Sequence, residues 1–344
     1  MNTADSSDKP ADYATLIDSE TWDFIRQTES WYPTDTLDFS VQRQREIYNT
    51  MCHEFHHGYP INVSASDHKI KHSGVSVSVR RYTSETDTGQ PNTYQISPGN
   101  LNPGNLNTDK ARIIYFHGGG FVVGDLQSHD DVCAELCDRT GFDVTSVDYR
   151  LAPEHVHPAS FEDCLACVQH ESQRTGQSII LCGDSAGGNL AAAVAHALRD
   201  LSNGDNKPDV IGQVLIYPAL GGDMTSGSYI THAQAPMLTT QDVHYYESIR
   251  SADSSVHSHP TFAPLKDNNF SELPNTVVFS AECDPLSDDG RHYCESIVSH
   301  GGQARWVNES GLVHGYLRAR HTVARAQDSF TRIVSALTSM QHHV

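Results

Sequence analysis

The chain has 344 residues, of which 38% are hydrophobic and 19% are charged, enough apolar material for one large α/β domain or two small ones. Its formal net charge of −20 argues against binding to nucleic acid, anionic membrane surfaces or polyanionic substrates, and favours neutral or cationic small molecules. The first residues lack the basic and apolar regions of a signal peptide, and no apolar run is long enough to span a membrane, so we expect a cytoplasmic protein.

Residues 1–60 are polar and mostly helical in pattern, with one helix predicted through residues 41–48. Residues 53–57 have the His-Glu-x-x-His spacing of a zinc site. Gly58 and Pro60 follow at once, so the helix stops where the helix of a zinc protease would continue. Because the spacing also places no third ligand, we expect no metal here.

The eight cysteines are scattered through predicted strands and helices. This distribution favours reduced, buried thiols over disulfides. Cys164 and Cys167 have C-x-x-C spacing inside a predicted helix, but no second pair accompanies them. Neither a zinc site nor a redox site is therefore expected.

From residue 74 onward, strands alternate with helices. A half-exposed strand over residues 74–82 precedes a loop over residues 84–109, which is rich in Thr, Asn, Pro and Gly. A long, partly helical insert over residues 219–272 interrupts the alternation. The pattern predicts a mostly parallel sheet with helices on both faces, whose ligands bind beyond the carboxyl ends of the strands. The other predicted strands are residues 111–116, 144–149, 178–182, 213–217, 276–280 and 303–307, and the helices are residues 126–139, 158–174, 189–198, 287–299 and 319–340.

The pattern G-x-S-x-G occurs at residues 183–187, directly after a predicted strand and directly before a predicted helix. This is the context that a nucleophile elbow requires, with Ser185 at the apex of a tight turn. The helix N-terminus beneath it would place positive potential near the hydroxyl. G-x-S-x-G alone is a weak pattern, so the flanking strand and helix are what favour a nucleophilic serine over a chance match.

A serine hydroxyl needs a base to remove its proton, and after such an elbow the acid precedes the histidine in the chain. Asp284 comes just past the strand at residues 276–280, and His314 just past the strand at residues 303–307. We therefore predict Asp284 as the acid and His314 as the base. Four nearby residues fit less well, because they fall in predicted helices or at a helix start: His300, His321, Asp288 and Asp289.

A His-Gly-Gly-Gly run at residues 117–120 follows a predicted strand. We predict that the N–H groups of Gly118, Gly119 and Ala186 donate to the negative oxygen that forms in acyl transfer. His117 is grouped with this oxyanion hole, but as a structural hydrogen-bonding residue rather than a catalyst. The alternatives are a flexible loop or a phosphate loop, and the latter lacks a Gly-Lys-Ser/Thr sequence.

Four ordered motifs resemble those of the hormone-sensitive lipase family of α/β-hydrolases. They are His117-Gly118-Gly119-Gly120-Phe121, Asp148-Tyr149-Arg150-Leu151-Ala152-Pro153-Glu154, Gly183-Asp184-Ser185-Ala186-Gly187-Gly188 and Asp284-Pro285-Leu286. Within the family, residues 124–130 and the tail from His314 are most similar to the bacterial acetyl esterases. The resemblance covers about residues 35–340. It departs from the family pattern at Ser287, where no basic residue follows the acid segment.

The resemblance implies the α/β-hydrolase fold and a helical cap over the active site. The cap would consist of N-terminal helices in residues 1–60 and of the insert at residues 219–272. The catalytic domain would then comprise residues 61–218 and 273–344.

The resemblance also implies hydrolysis of short-acyl esters, acetyl to butyryl, through Ser185, Asp284, His314 and an acyl-enzyme, with no metal and no organic cofactor. One alternative is a broader carboxylesterase for medium-length acyl chains. Another is a non-catalytic ligand-binding relative that has lost the histidine, which is disfavoured because all three triad positions are filled. We expect a small-molecule ester as partner, neither nucleic acid nor membrane, and a monomer or homodimer.

Overall fold

The computed structural model describes residues 10–84, 110–201 and 207–341, and almost all of the predicted loop at residues 84–109 lies outside them. In the described residues, eight strands form one sheet and helices cover both of its faces. The strands are β1 (Val63–His72), β2 (Val75–Ser84), β3 (Arg112–Phe116), β4 (Asp143–Asp148), β5 (Ile179–Asp184), β6 (Val210–Ile216), β7 (Asn275–Cys283) and β8 (Ala304–Val313). The helices are α1 (Tyr13–Leu16), α2 (Ser19–Trp31), α3 (Val41–Glu54), α4 (Asp130–Thr140), α5 (Ala159–Thr175), α6 (Ala186–Arg199), α7 (Ser228–Thr231), α8 (Thr240–Arg250), α9 (Ser287–Ser299) and α10 (Ala324–Met340).

The strand order across the sheet is β1-β2-β4-β3-β5-β6-β7-β8. Strands β3 to β8 are parallel, whereas β1 and β2 pair in antiparallel fashion at one edge. The predicted fold class, a mostly parallel sheet with helices on both faces, is confirmed. Because β5, β7 and β8 run in the same direction, the residues that follow them meet at one edge of the sheet.

The central strands β3 and β5 are buried along their whole length, which explains their continuous apolar sequences. Successive side chains point to opposite faces of the sheet. Ile113 and Tyr115 pack in the core on one face, and Ile114 and Phe116 pack in the core on the other. The sheet is therefore packed between two apolar layers, each covered by helices.

Strand β1 was not predicted from the sequence. Most of its side chains are exposed, and only Val63 and Ile70 are buried, so the apolar alternation typical of a strand is missing. It is held instead by backbone pairing with β2 along its full length, from Val63 opposite Ser84 to His72 opposite Val75. Such pairing leaves little trace in the hydrophobic pattern.

Several predicted boundaries were wrong, among them the following three. Helix α4 begins at Asp130 rather than at residue 126, because the Asp125 carboxylate accepts hydrogen bonds from the following backbone N–H groups and forms a turn. Strand β8 continues to Val313, which still pairs with β7. The final helix begins at Ala324 rather than at residue 319, so His321 precedes it.

All eight cysteines lie in the described residues, and all are buried and free. Burial raises the pKa of Cys164 and Cys167, because a thiolate there would lose its hydration. The predicted burial of free thiols is confirmed.

None of the helices in the described residues has both the length and the apolar character needed to cross a bilayer. The longest, α5 and α10, have 17 residues each, and α10 is exposed along one side.

The N-terminal helices and the insert at residues 219–272 meet above the carboxyl edge of the sheet. Gln44 of α3 donates to the Tyr245 hydroxyl of α8 at 2.6 Å, and the Tyr32 and Tyr246 hydroxyls are 3.4 Å apart. Near the start of the chain, the Ala11 N–H donates to the Thr231 carbonyl at 3.0 Å. The two segments thus form one continuous cover.

The buried carboxylate of Asp289, in the first turn of α9, attaches the insert to the sheet domain. Its Oδ2 accepts hydrogen bonds from the N–H groups of Leu220 (2.8 Å) and Gly222 (3.3 Å) and from the Tyr229 hydroxyl (3.1 Å). Its Oδ1 is buried without a partner in the described residues. Burial outweighs these hydrogen bonds and raises the pKa of Asp289 to about 7.

This pKa predicts a specific pH dependence of stability. An acid whose pKa is higher in the folded state than in the unfolded state loses stability as the pH rises between the two values, here from about 4 to about 7. Asp289→Asn keeps an oxygen acceptor but does not ionise. We therefore expect the Tm of Asp289→Asn minus that of the wild type to increase between pH 5 and pH 8. A difference that is independent of pH in thermal melts would contradict this account.

Candidate active site

Ser185 is at the apex of the turn between β5 and α6, with φ 53° and ψ −118°. A positive φ is strained for a residue with a side chain, and such strain is typical of functional turns. The turn closes only because both flanking positions are glycine. A Cβ on Gly187 would collide with the Phe116 carbonyl, and one on Gly183 would collide with the Gly187 carbonyl. The G-x-S-x-G spacing is thus required by the backbone geometry.

The structure brings Ser185, His314 and Asp284 together in one hydrogen-bonded chain. The distance from Ser185 Oγ to His314 Nε2 is 2.9 Å, and that from His314 Nδ1 to Asp284 Oδ2 is 2.7 Å. Asp284 follows β7 and is fully buried, and its Oδ1 accepts from the Leu286 N–H at 2.9 Å. Because a carboxylate only accepts, Nδ1 must carry the proton, which leaves Nε2 free to accept from the serine hydroxyl. This arrangement can activate the hydroxyl as a nucleophile.

The His-Gly-Gly-Gly segment at residues 117–120, called the glycine loop below, differs from the prediction in one respect. The Gly118 N–H donates to Asp184 Oδ1 at 2.9 Å, so it is not available to an oxyanion. The N–H groups of Gly119 and Gly120 have no acceptor in the described part of the chain, and both residues line the cavity above Ser185. Ala186, the first residue of α6, also lines the cavity, and its N–H has no acceptor within the helix. The free donors are therefore those of Gly119, Gly120 and Ala186.

His117 lies behind this loop, not in the cavity, so its grouping with the oxyanion hole was wrong. The ring is fully buried, stacks on Tyr149, and has its Nδ1 2.8 Å from the Gly118 carbonyl. Burial and then the neighbouring His129 lower the pKa of His117 to about 4, so it is neutral. Neutral Nδ1 can donate to the carbonyl, which supports the structural role that the sequence suggested for His117.

Sequence reasoning missed Asp184, although it stands inside the G-x-S-x-G motif. Its buried carboxylate accepts from the Tyr115 hydroxyl at 2.7 Å and from the Gly118 N–H, and it lies 3.3 Å from His129 Nε2. Burial opposes ionisation, but His129 and the hydrogen bonds outweigh it and hold the pKa of Asp184 well below its usual range. Asp184 thereby ties the glycine loop to the elbow.

The triad opens into a cavity of about 620 Å³. Its walls come from three parts of the chain: the N-terminal helices with the segment after α2, the insert at residues 219–272, and the carboxyl edge of the sheet. The cavity residues of the two cover segments could not be named from the sequence. Apolar and aromatic residues of the wall include Tyr32, Met51, Tyr217, Met237, Leu238 and Phe262.

Comparison with known proteins identifies the family. A sequence model for the alpha/beta hydrolase fold matches residues 113–318, which is more than half of the chain. The chain belongs to the alpha/beta hydrolase fold family. The predicted membership of the α/β-hydrolases, in their hormone-sensitive lipase branch, is confirmed.

Several relatives are named for ester hydrolysis. Esterase LipI of Mycobacterium tuberculosis is 35% identical over 237 residues, covering 67% of this chain and 73% of the relative. The ethyl acetate hydrolase of Pseudomonas putida is 30% identical over 236 residues, covering 66% and 72%. Among solved structures, an esterase from the archaeon Pyrobaculum calidifontis superposes with a TM-score of 0.79 at 27% identity, covering 94% of this chain and 99% of that one.

In this α/β-hydrolase, helix α3 holds the glycine loop from outside. Arg45 Nε donates to the Val122 carbonyl at 2.8 Å, and Nη2 donates to the Ala152 carbonyl at 3.0 Å. The same guanidinium pairs with both oxygens of Glu154. The Val122 N–H in turn donates to the Gly119 carbonyl at 3.0 Å. Arg45 thus connects the N-terminal cover to the loop that presents the free N–H groups.

Arg250 attaches the insert to helix α6, which directly follows Ser185 and is called the elbow helix below. This guanidinium lies between the rings of Phe121 and Phe262, 3.7 Å and 4.2 Å from their centroids. Its Nη2 lies 3.2 Å from Asn189 Oδ1, and Asn189 Nδ2 donates to the carbonyls of Ala219 and Phe262. Burial lowers the pKa of Arg250 to about 9. One polar network therefore joins α6 to α8 and to the insert backbone at Ala219 and Phe262.

The His-Glu-x-x-His segment does not form a metal centre in the structure. Helix α3 ends at Glu54, so His53 and His57 are not on consecutive turns of one helix. The His57 ring instead contacts the His321 ring, with centroids 4.2 Å apart. Among the described residues, no group of three His, Cys, Asp or Glu side chains is arranged to hold a metal ion.

Proposed function

We propose that this protein is a serine esterase for carboxylic esters with short acyl chains, which it hydrolyses through an acyl-enzyme. The coarser statement, that the chain is a carboxylic ester hydrolase, follows from its family and from relatives named esterase. The observation that carries the proposal is the hydrogen-bonded chain from Asp284 through His314 to Ser185 at the base of a cavity.

In the proposed acylation step, His314 Nε2 takes the Ser185 proton as Oγ attacks the ester carbonyl. Asp284 keeps the proton on Nδ1 and stabilises the imidazolium that forms. The imidazolium then gives its proton to the departing alkoxide, so that the alcohol leaves and the acyl group stays on Ser185. Water, deprotonated by the same nitrogen, attacks the acyl-enzyme, and Ser185 recovers its proton as the acid is released.

The negative charge that develops on the carbonyl oxygen needs donors that are already in position. We propose the N–H groups of Gly119, Gly120 and Ala186 for this role, since each lines the cavity beside Ser185 and none has an intramolecular acceptor in the described residues. Gly120 takes the place of Gly118 in this proposal, because the Gly118 N–H already donates to Asp184.

Polar groups on the cavity wall support a preference for short acyl chains. The hydroxyls of Tyr32, Tyr48 and Tyr246 and the Arg318 guanidinium all belong to residues that line the cavity. A long alkyl chain laid against them would remove their hydration without offering a hydrogen bond.

The volume of about 620 Å³, in contrast, exceeds what an acetyl group fills, and it favours the second candidate, a carboxylesterase for medium-length chains.

A chain-length series separates the two candidates. We expect kcat/KM for p-nitrophenyl esters to be highest between acetyl and butyryl and to fall from hexanoyl to palmitoyl. Each methylene in a fitting pocket gains about 0.8 kcal/mol, so butyryl can exceed acetyl, but a chain longer than the pocket clashes with its end. A maximum at octanoyl or beyond would instead establish the medium-chain candidate.

The role of Arg45 in holding the glycine loop gives a second prediction. Arg45→Met removes the donors to Val122 and Ala152, so the loop N–H groups lose their fixed position. Loss of one such donor costs about 100-fold or more in rate, so partial misplacement should lower kcat by about tenfold with little change in KM.

Arg43→Met is the matched control, because Arg43 is on the same helix and pairs only with the exposed Glu46 among the described residues. Its kcat should stay within about twofold of the wild type. Glu154→Gln keeps both carbonyl contacts of Arg45 and should have an intermediate effect. Equal kcat values for Arg45→Met and Arg43→Met would refute the positioning role.

We also propose that the protein works in a reducing compartment such as the cytoplasm. The support is its set of eight buried cysteines, all of them free thiols.

A further inference from the structure

Arg318 has an unusual environment for a partly buried arginine. It belongs to the short 3-10 helix Tyr316–Ala319, directly after His314, and lines the active-site cavity. Its Nη2 donates to the Tyr48 hydroxyl at 2.6 Å and lies 3.5 Å from Cys52 Sγ. The guanidinium also lies over the Tyr48 ring, 5.0 Å from the centroid. All of these partners are neutral.

The rest of the guanidinium has no partner in the described chain. Its Nε is buried without an acceptor, and its Nη1 donates to no protein atom of the described residues. A Cβ built on Gly315 would lie 3.4 Å from Nη1, which places this nitrogen beside the residue that follows His314. Arg318 therefore presents an unused donor close to the triad.

Among the described residues, no carboxylate forms an ion pair with Arg318. Arg320, two residues later, pairs with both Asp131 and Glu135. Asp184 attracts Arg318 at longer range, but its Oδ1 already accepts from Tyr115 and Gly118, and its Oδ2 lies 3.3 Å from His129 Nε2. An arginine stays charged, so partial burial without an anionic partner is unfavourable. A carboxylate offers the strongest hydrogen bonds that such a group can make.

The other charged side chains of the cavity do not supply an anionic partner for Arg318. Its carboxylates Glu29, Asp35 and Asp38 are exposed to solvent, where water and salt screen them. Asp242 accepts from the Thr239 N–H in a capping box, and burial raises the pKa of Glu247. Arg250 and Arg318 are the two arginines that line the cavity, and neither forms an ion pair in the described residues. Both terminal nitrogens of Arg250 donate to Asn189 or to backbone carbonyls, whereas Nη1 of Arg318 is unused in that part of the chain.

We propose that Arg318 binds a carboxylate of the substrate, so that the esters it selects carry a carboxylate a few carbon atoms away from the ester group. This inference rests on the proposed function, since it names the substrate class of the same site. It departs from the neutral or cationic substrates that the net charge of −20 favours. The carboxylate stands either on the acyl side, as in a monoester of a short dicarboxylic acid, or on the alcohol side, as in an acylated hydroxy acid.

Two pairs of esters of equal shape test the proposal and distinguish the two sides. On the acyl side, monomethyl glutarate is compared with methyl 5-methylhexanoate, in which an isopropyl group replaces the carboxylate. On the alcohol side, 3-acetoxypropanoate is compared with 3-methylbutyl acetate. For each pair, the ratio of kcat/KM for the charged ester to that for the neutral ester is measured by titration of released acid.

We expect Arg318→Met to lower this ratio at least tenfold in one of the two pairs, the size of effect that a hydrogen bond to a charged group provides. Arg318→Lys should retain part of it. Arg43→Met removes the same charge from an exposed position and should leave both ratios at the wild-type value. Ratios that are equal in the wild type and Arg318→Met, for both pairs, would overturn the inference.

The result remains decisive if Arg318→Met does not fold. With the wild type, hydrolysis of 3-methylbutyl acetate is measured with two pairs of amides. If the carboxylate is on the acyl side, 4-carbamoylbutanoate should inhibit more strongly than 5-methylhexanamide; if it is on the alcohol side, 3-acetamidopropanoate should inhibit more strongly than N-(3-methylbutyl)acetamide. Added NaCl should weaken only the charged inhibitor. Equal inhibition within both pairs would overturn the inference. Failure of the wild type to hydrolyse any of the four esters would refute the proposed function itself, which is a different outcome.

Discussion

The geometry of the site depends on the buried carboxylate of Asp184. This residue directly precedes Ser185 in the chain, and its side chain accepts the Gly118 N–H. One carboxylate therefore sets the distance between the elbow and the two glycine N–H groups that follow Gly118. The approach is so close that a Cβ on Gly118 would collide with the Asp184 carboxylate. The Tyr115 hydroxyl donates to the same carboxylate oxygen, and His129 Nε2 lies 3.3 Å from the other, so this buried charge is not isolated from polar groups.

The parallel sheet supplies the rest of the arrangement. Ser185 follows β5, Asp284 follows β7 and His314 follows β8, so residues separated by up to 129 positions meet at one edge. The cover is as much a part of this machinery as the sheet is. Arg45 connects the N-terminal segment to the glycine loop, and Arg250 connects the insert to the elbow helix. The N-terminal helices lie outside the matched family region, residues 113–318, yet they contact the catalytic loop directly.

Local patterns were sufficient to predict the central strands, the elbow and the positions of Asp284 and His314. For the elbow and for Asp284, a buried apolar strand ends directly at the site residue, whereas His314 was chosen because it follows the last predicted strand. Chain order then predicted their roles. The sequence did not indicate that Asp184 would take the Gly118 N–H, because that contact depends on how two turns 66 residues apart face each other. Strand β1 was missed because backbone pairing rather than burial holds it. Arg45 and Arg318 were missed because nothing in their local sequence distinguishes them from surface arginines.

The central claim is that Ser185 is the nucleophile, and covalent labelling tests it most directly. The wild type is treated with a p-nitrophenyl alkylphosphonate, the released p-nitrophenol is counted, and the adduct is located by peptide mass spectrometry. The account predicts one equivalent released per chain, the adduct on Ser185, and no stoichiometric release from Ser185→Ala. An adduct on another residue, or equal release from Ser185→Ala, would contradict it.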